Sequence, residues 1–220
     1  MRFVSTHAVL ASLGICFGCA TALAQDNSGS ILQDGIGNRA EIDQTIGALR
    51  GEVSVEQIGE GQVAAITDTG GNNLLDLVQT GASQTTSVRL SGQSNTGDIG
   101  QSGFGNSIDI EVGGALNSFT LLQATPSSAF AGNEIGLIQQ GARNTATQTQ
   151  IGSENTMILE QNGSDNAADM LQDGTNNSMT LAQFGDENNA TFSQFGNAST
   201  PIEVTQSGGM SITITHQGGQ

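Results

Sequence analysis

One short pattern dominates this chain: a Gln, a Gly two residues on and an Asn five residues on. It is complete at Gln33/Gly35/Asn38, Gln101/Gly103/Asn106, Gln139/Gly141/Asn144, Gln150/Gly152/Asn155, Gln161/Gly163/Asn166, Gln172/Gly174/Asn177 and Gln183/Gly185/Asn188. From Gln139 to Gln194 the step between anchors is 11 residues five times running. Weaker units keep the frame at Gln57/Gly59/Gln62, Asp68/Gly70/Asn73, Gln79/Gly81/Gln84, Leu90/Gly92/Asn95 and Val112/Gly114/Asn117. Further anchors are Gln44, Gln123, Asn133, Gln194 with Gly196, Gln206 with Gly208, and Gln217. The frame gains two residues between Gln44 and Gln57, five between Gln123 and Gln139 near Pro126, and one between Gln194 and Gln206 near Pro201. A fixed short period of this kind marks a repeat architecture rather than a single irregular core.

Within a unit, the residues from Asn to the next Gln alternate: Asn155, Met157, Leu159, Gln161 on one side, Thr156, Ile158, Glu160 on the other. Period two indicates a strand with one buried face. The residues between Gln and Asn, x-Gly-x-x, read as a four-residue turn in which Gly supplies backbone freedom. Identical residues at one phase of every unit make sense where units stack in register, so that Gln stands over Gln and Asn over Asn, bonded through their amides. The expected fold is all-β: a β-solenoid of two stacked parallel sheets, 11 residues per strand-turn unit and 22 per coil. About 18 units give nine coils, a stack on the order of 43 Å long at the usual strand spacing.

Composition narrows the function. The formal net charge is −16, with no Lys, Trp or Tyr and two His, which disfavours nucleic acid and anionic lipid as partners. Both cysteines, Cys16 and Cys19, lie in a leader: Arg2, an apolar run from Ala8 to Ala20, and a small-residue cleavage site at Ala22-Leu23-Ala24. Residues 1–24 are read as a signal peptide, 25–32 as a short N-terminal segment and 33–220 as the repeat array. No later run is long enough for a membrane span. The mature chain then has no Cys and one His, His216, too little for a nucleophile with an activating base. Asp109 and Glu111 share one strand face, but no cleft is implied, so the chain is not expected to be an enzyme. No cofactor is called for. The acidic residues of the turns, such as Glu154, Asp165 and Glu187, lack the spacing of calcium-binding β-rolls and read as solvated charges that slow premature stacking.

These residues resemble the curlin repeat, Ser-x5-Gln-x-Gly-x-x-Asn-x-Ala-x3-Gln, of bacterial curli fibre subunits. The stretches from Asn144-Thr145-Ala146 to Gln150 and from Asn166-Ala167-Ala168 to Gln172 come nearest to it. The resemblance implies a secreted subunit that polymerises with itself into extracellular amyloid fibres of biofilm matrix, at the cell surface. It implies as partners a second curlin subunit, an outer-membrane export channel and periplasmic chaperones. The family's nucleating subunit has a basic terminal repeat, whereas Gln206–Gln220 contains no Arg or Lys; the resemblance therefore points to the main subunit. The alternative is a monomeric secreted β-solenoid that acts as an adhesin or binding protein.

Overall fold

The computed structural model describes residues 8–9, 27–44, 50–126 and 131–218, and every regular element among them is a strand. In chain order these are β1 (Ala8–Val9), β2 (Ser28–Ile36), β3 (Arg39–Gln44), β4 (Glu52–Glu60), β5 (Val63–Asp68) and β6 (Leu74–Ala82). There follow β7 (Thr85–Gln93), β8 (Thr96–Phe104), β9 (Ser107–Ala115), β10 (Ser118–Thr125), β11 (Glu134–Ala142) and β12 (Thr145–Ser153). The last six are β13 (Thr156–Ser164), β14 (Ala167–Thr175), β15 (Ser178–Phe184), β16 (Asn189–Asn197), β17 (Ile202–Ser207) and β18 (Ser211–Gln217).

Even-numbered strands lie side by side in one sheet and odd-numbered strands from β3 to β17 in the other, each pairing with the strand one coil away. All pairings are parallel, as in β11 with β13, where Gln139 stands opposite Gln161 and Gly141 opposite Gly163. The chain thus winds as a β-solenoid of 22 residues per coil, the architecture that the alternation predicts. Leaving aside β1, β2–β18 makes seventeen strands, one fewer than the eighteen units read from the sequence. That is eight and a half coils, about 41 Å at the usual spacing.

Two inward positions per strand build the core, which is a thin apolar layer between the sheets. Ile135 and Leu137 of β11, Met157 and Leu159 of β13 and Met179 and Leu181 of β15 stack as columns with 0–1% exposure. Size is balanced between coils: a Cβ on Gly97 would fall 2.1 Å from the Phe119 ring, so the missing side chain in β8 makes room for a large one in β10. Such complementary filling is what keeps a narrow core free of voids.

Two sequence expectations are corrected. The strands are longer and the turns tighter than predicted: β11 runs nine residues, through Gly141 to Ala142, because the ladder to β13 continues across the glycine. Only two residues, here Arg143 and Asn144, separate it from β12. Of the segment 25–32, residues 28–32 are not separate from the array, since β2 begins at Ser28 and pairs with β4 from that residue. Residues 1–24, read above as a leader, lie outside the described residues except for Ala8–Val9, which pair with Ile31 and Leu32 on the outer edge of β2.

Candidate functional site

The third inward position of most strands holds an amide. In the first sheet Gln33, Gln57, Gln79, Gln101, Gln123, Gln150, Gln172 and Gln194 stand in one column. Gln33 donates to Gln57, and from Gln57 onward each Nε2 donates to the next Oε1 at 2.7–3.0 Å. For Gln57, Gln79, Gln101 and Gln123 the second N–H crosses the core. Gln161 shows the arrangement: it donates to Gln183 Oε1 at 2.9 Å and to the carbonyl of Thr145 in the facing sheet at 3.0 Å. Both donors of a fully buried amide are thereby satisfied, which removes the penalty of burying it.

The second sheet is less regular. Gln139, Gln161, Gln183 and Gln206 form a hydrogen-bonded column at 2.8–2.9 Å, but before them come Gln44, Asp68, Leu90 and Val112. Val112 offers no donor to Gln139, and Gln139 Oε1 accordingly has no partner. One buried glutamine is outside the columns altogether. Gln148 stands between Leu121 and Met170 in the apolar layer, fully buried, with neither amide atom partnered.

Asparagines fasten the corners. Asn144 Nδ2 donates to the carbonyls of Gly163 at 3.0 Å and Gln140 at 3.2 Å, and its Oδ1 accepts from the Asn166 backbone N–H at 3.1 Å. The same backbone N–H to Oδ1 bond joins Asn73 to Asn95, Asn95 to Asn117, Asn117 to Asn144 and Asn166 to Asn188. Along the opposite corner it joins Asn106, Asn133, Asn155 and Asn177. Asn38 bonds Gln62 likewise. Gln62 and Gln84, which replace Asn, still reach the glycine carbonyl of the next coil.

The turn glycines stack almost in contact. Gly141 has φ 109°, and a Cβ there would lie 2.0 Å from the Gly163 carbonyl oxygen. The same clash, at 1.8–2.1 Å, faces Gly35, Gly59, Gly81, Gly92, Gly103, Gly114, Gly152, Gly163 and Gly174. Gly70 has an ordinary φ but the same clash, Gly185 and Gly196 are looser, and Gly208 has open space around it. Sequence reading missed a second left-handed position two residues after the glycine, filled by Ser83, Ser94, Leu116, Arg143, Glu154, Asp165, Asn176 and Glu187 at φ 56–60°. The signal was the bias towards polar residues and glycine there, with Leu116 and Ala198 (φ 47°) as the exceptions. Leu116→Asn keeps the turn, removes a branched apolar side chain that is 56% exposed and suits the left-handed backbone. It should raise stability by about 0.5–1 kcal/mol, read as a higher urea midpoint. At these corners Arg143 and Asp165 of successive coils form a two-point ion pair, Nε–Oδ1 2.7 Å and Nη2–Oδ2 2.6 Å. That hydrogen bond, followed by the guanidinium charge, holds the Asp165 carboxyl below its usual range.

The expectation for Gln217 is corrected. The turn Ser207-Gly208-Gly209 is one residue shorter than its counterpart after Gln183, so Met210 occupies the Asn phase and bonds Asn188 Oδ1 at 3.2 Å. The frame of β18 slips by one: His216 stands opposite Gln194, and Gln217 stands opposite Phe195 on the exposed side. A one-residue slip exchanges the two faces of a strand, and this one turns Ile212 and Ile214 inward in place of Thr213 and Thr215.

The columns end without caps among the described residues. Among the described residues, β3, β17 and β18 are paired on one side only, and the outer edge of β2 meets only Ala8–Val9. Ile31, Ile42, Val204, Ile212 and Ile214 pack on the core but remain partly open at the two ends. Asp109 and Glu111 lie exposed on the outer face of β9, with Arg89 Nη1 3.8 Å from Asp109, and form no cleft. No group of three or more His, Cys, Asp or Glu among the described residues is placed to hold a metal ion.

Four overlapping matches to the family model of the curlin associated repeat fall in the most regular part of this array, over 131–163, 154–185, 163–196 and 174–208. Residues 131–208 carry curlin repeats. They span the last turn of the insertion after β10, the full Gln139–Gln206 column and the corner asparagines from Asn133 to Asn188. The curlin repeat family is one of structural fibre subunits, and a β-solenoid built of such repeats fits a curli-like subunit. No curated protein matches the chain.

Proposed function

We propose that this protein is the main structural subunit of an extracellular, curli-like amyloid fibre that grows head to tail and serves as biofilm matrix and adhesive fibre. The observation that carries the reading is the pair of uncapped ends. Solenoids that remain monomeric cover their terminal coils with a polar cap, because an open strand edge over an exposed core is a template for another chain. Here each end offers unpaired strand edges beside part-open Ile and Val side chains, and a non-closing contact between unlike ends yields a filament. In this reading the leader at 1–24 directs export and is removed, the chain reaches the surface through an outer-membrane channel with periplasmic chaperones, and a second curlin subunit starts the fibre. The absence of Arg and Lys from Gln206–Gln220 supports the main-subunit role.

The acidic charge sets the kinetics. Once Arg2 leaves with the leader, each copy carries 4 Arg against 21 Asp and Glu, a net charge of 4 − 21 = −17; such copies repel one another at low ionic strength, and raising salt from 0.01 to 0.15 M shortens the screening length from roughly 30 to 8 Å. Purified mature chain at neutral pH should assemble after a lag that salt shortens and preformed seeds abolish, with thioflavin binding and a cross-β reflection near 4.7 Å. A chain that stays a folded monomer under these conditions would instead be a secreted adhesin.

A further inference from the structure

The number of strands fixes how copies must be turned. A strand is added alternately to one sheet and the other, and β2–β18 is an odd number: nine strands in the first sheet, eight in the second. Both the first strand, β2, and the last, β18, therefore belong to the first sheet, and the second sheet stops one strand short, at β17. The top of the column is a step one strand high. The next vacant place along the coil lies on β17.

We infer that successive copies of this chain stack with a half-turn about the fibre axis, so that β2 of the incoming copy pairs with β17 and its β3 with β18. The inference rests on the fibre reading above and on removal of the leader, which frees β2 from Ala8–Val9. A copy added without the half-turn would place β2 on β18 and β3 two spacings, roughly 9.6 Å, above β17. That leaves a strand-wide slot in the second sheet at each junction, with a row of unpaired N–H and C=O groups on both of its walls. The half-turn fills every place. It also matches side chains in kind: Gln33 falls on Gln206, Ile31 on Val204 and Ile42 on Ile214. Gln206, lacking a next coil, donates its amide to the carbonyls of Met210 at 3.2 Å and Asn189 at 3.0 Å. The other column glutamines of this sheet, such as Gln183, send one N–H to the next Gln and one across the core, and Gln33 of the incoming copy restores that pattern. Gly208, which has nothing within 4 Å of a would-be Cβ, is where Gly35 of the next copy lands.

The mature chain contains no cysteine, so disulfides introduced in pairs report the stacking directly. Ser30, Glu203 and Thr213 are exposed, and each lies three residues before the inward residue of its strand, Gln33, Gln206 or His216. In the half-turn stack Ser30 of one copy lies about one strand spacing from Glu203 of the next, about 4.8 Å, within disulfide reach; Thr213 is on the opposite face. Mature S30C/E203C, assembled and then oxidised, should give a ladder of covalent multimers on a non-reducing gel, and S30C/T213C should give none. Fibres of S30C/T213C that ladder, or fibres of S30C/E203C that do not, overturn the half-turn and leave the fibre reading intact. Chains that never polymerise, with the unsubstituted chain behaving alike, overturn the fibre reading and this inference with it.

Discussion

Gly141→Ala should be among the most damaging single-methyl additions to this protein, lowering its stability by ~4 kcal/mol, whereas Gly136→Ala in the same strand should change it little. The two glycines differ in what stands above them. At Gly141 the added Cβ would meet the Gly163 carbonyl oxygen at 2.0 Å and carbon at 2.9 Å, and φ is 109°. Neither neighbour can give way, because parallel strands are held at a fixed spacing by the ladder on both sides of the glycine. At Gly136 the nearest atom is Ile158 Cγ1 at 3.8 Å, an ordinary contact. Urea unfolding followed by far-ultraviolet circular dichroism separates the two. Equal midpoints for the Gly141 and Gly136 variants would mean that the glycine columns carry no steric constraint.

Two buried glutamines on consecutive strands, Gln148 of β12 and Gln161 of β13, should respond to replacement with opposite signs. Gln161→Leu removes a donor that satisfies Gln183 Oε1 and the Thr145 carbonyl, and an acceptor that satisfies Gln139 Nε2 at 2.9 Å. Three partners lose a bond, two of them, Gln139 and Gln183, fully buried. At about 1–3 kcal/mol for each buried group left unpaired, a loss of ~3 kcal/mol or more is expected. Gln148→Leu removes an amide that has no partner in a fully apolar setting between Leu121 and Met170. Relief of that desolvation should stabilise the chain by about 1–2 kcal/mol. The pair tests whether the amide columns stabilise through their bonds or merely tolerate glutamine: two losses of similar size would exclude the first. In fibres the same order should appear in the denaturant concentration needed for dissolution.

Much of this was legible in the residues because the architecture is one-dimensional. Each coil contacts only its neighbours, so the spacing of Gln139, Gln150 and Gln161 already states which residues meet and at what interval. The alternation Asn155, Met157, Leu159, Gln161 likewise states which face is inward. What escaped was local to the turns. The left-handed residue at Arg143 or Leu116 carries no distinctive letter, since several polar residues, glycines, one Leu and one Ala fill it. Gln148 shares the letter of the column residues but stands one inward place before them, and only its neighbours on either coil reveal that it is unpaired. Gln217 keeps the 11-residue interval from Gln206 and was still out of place.

That last case shows where sequence ends and tertiary structure begins. The sequence alone determined the period, the inward face and the residue kinds that stack, because hydrophobic alternation and repeated amides act between neighbours at a fixed separation. It could not determine the register of β18, since one interval supports either face. Burying Ile212 and Ile214 against β16 decided it, at the expense of a shortened turn at Gly208-Gly209 and of His216 in the amide column. Nor could it decide the strand parity of the finished column, which sets the step at its end: that number emerges only when the winding is complete, because every coil rests on the one before it.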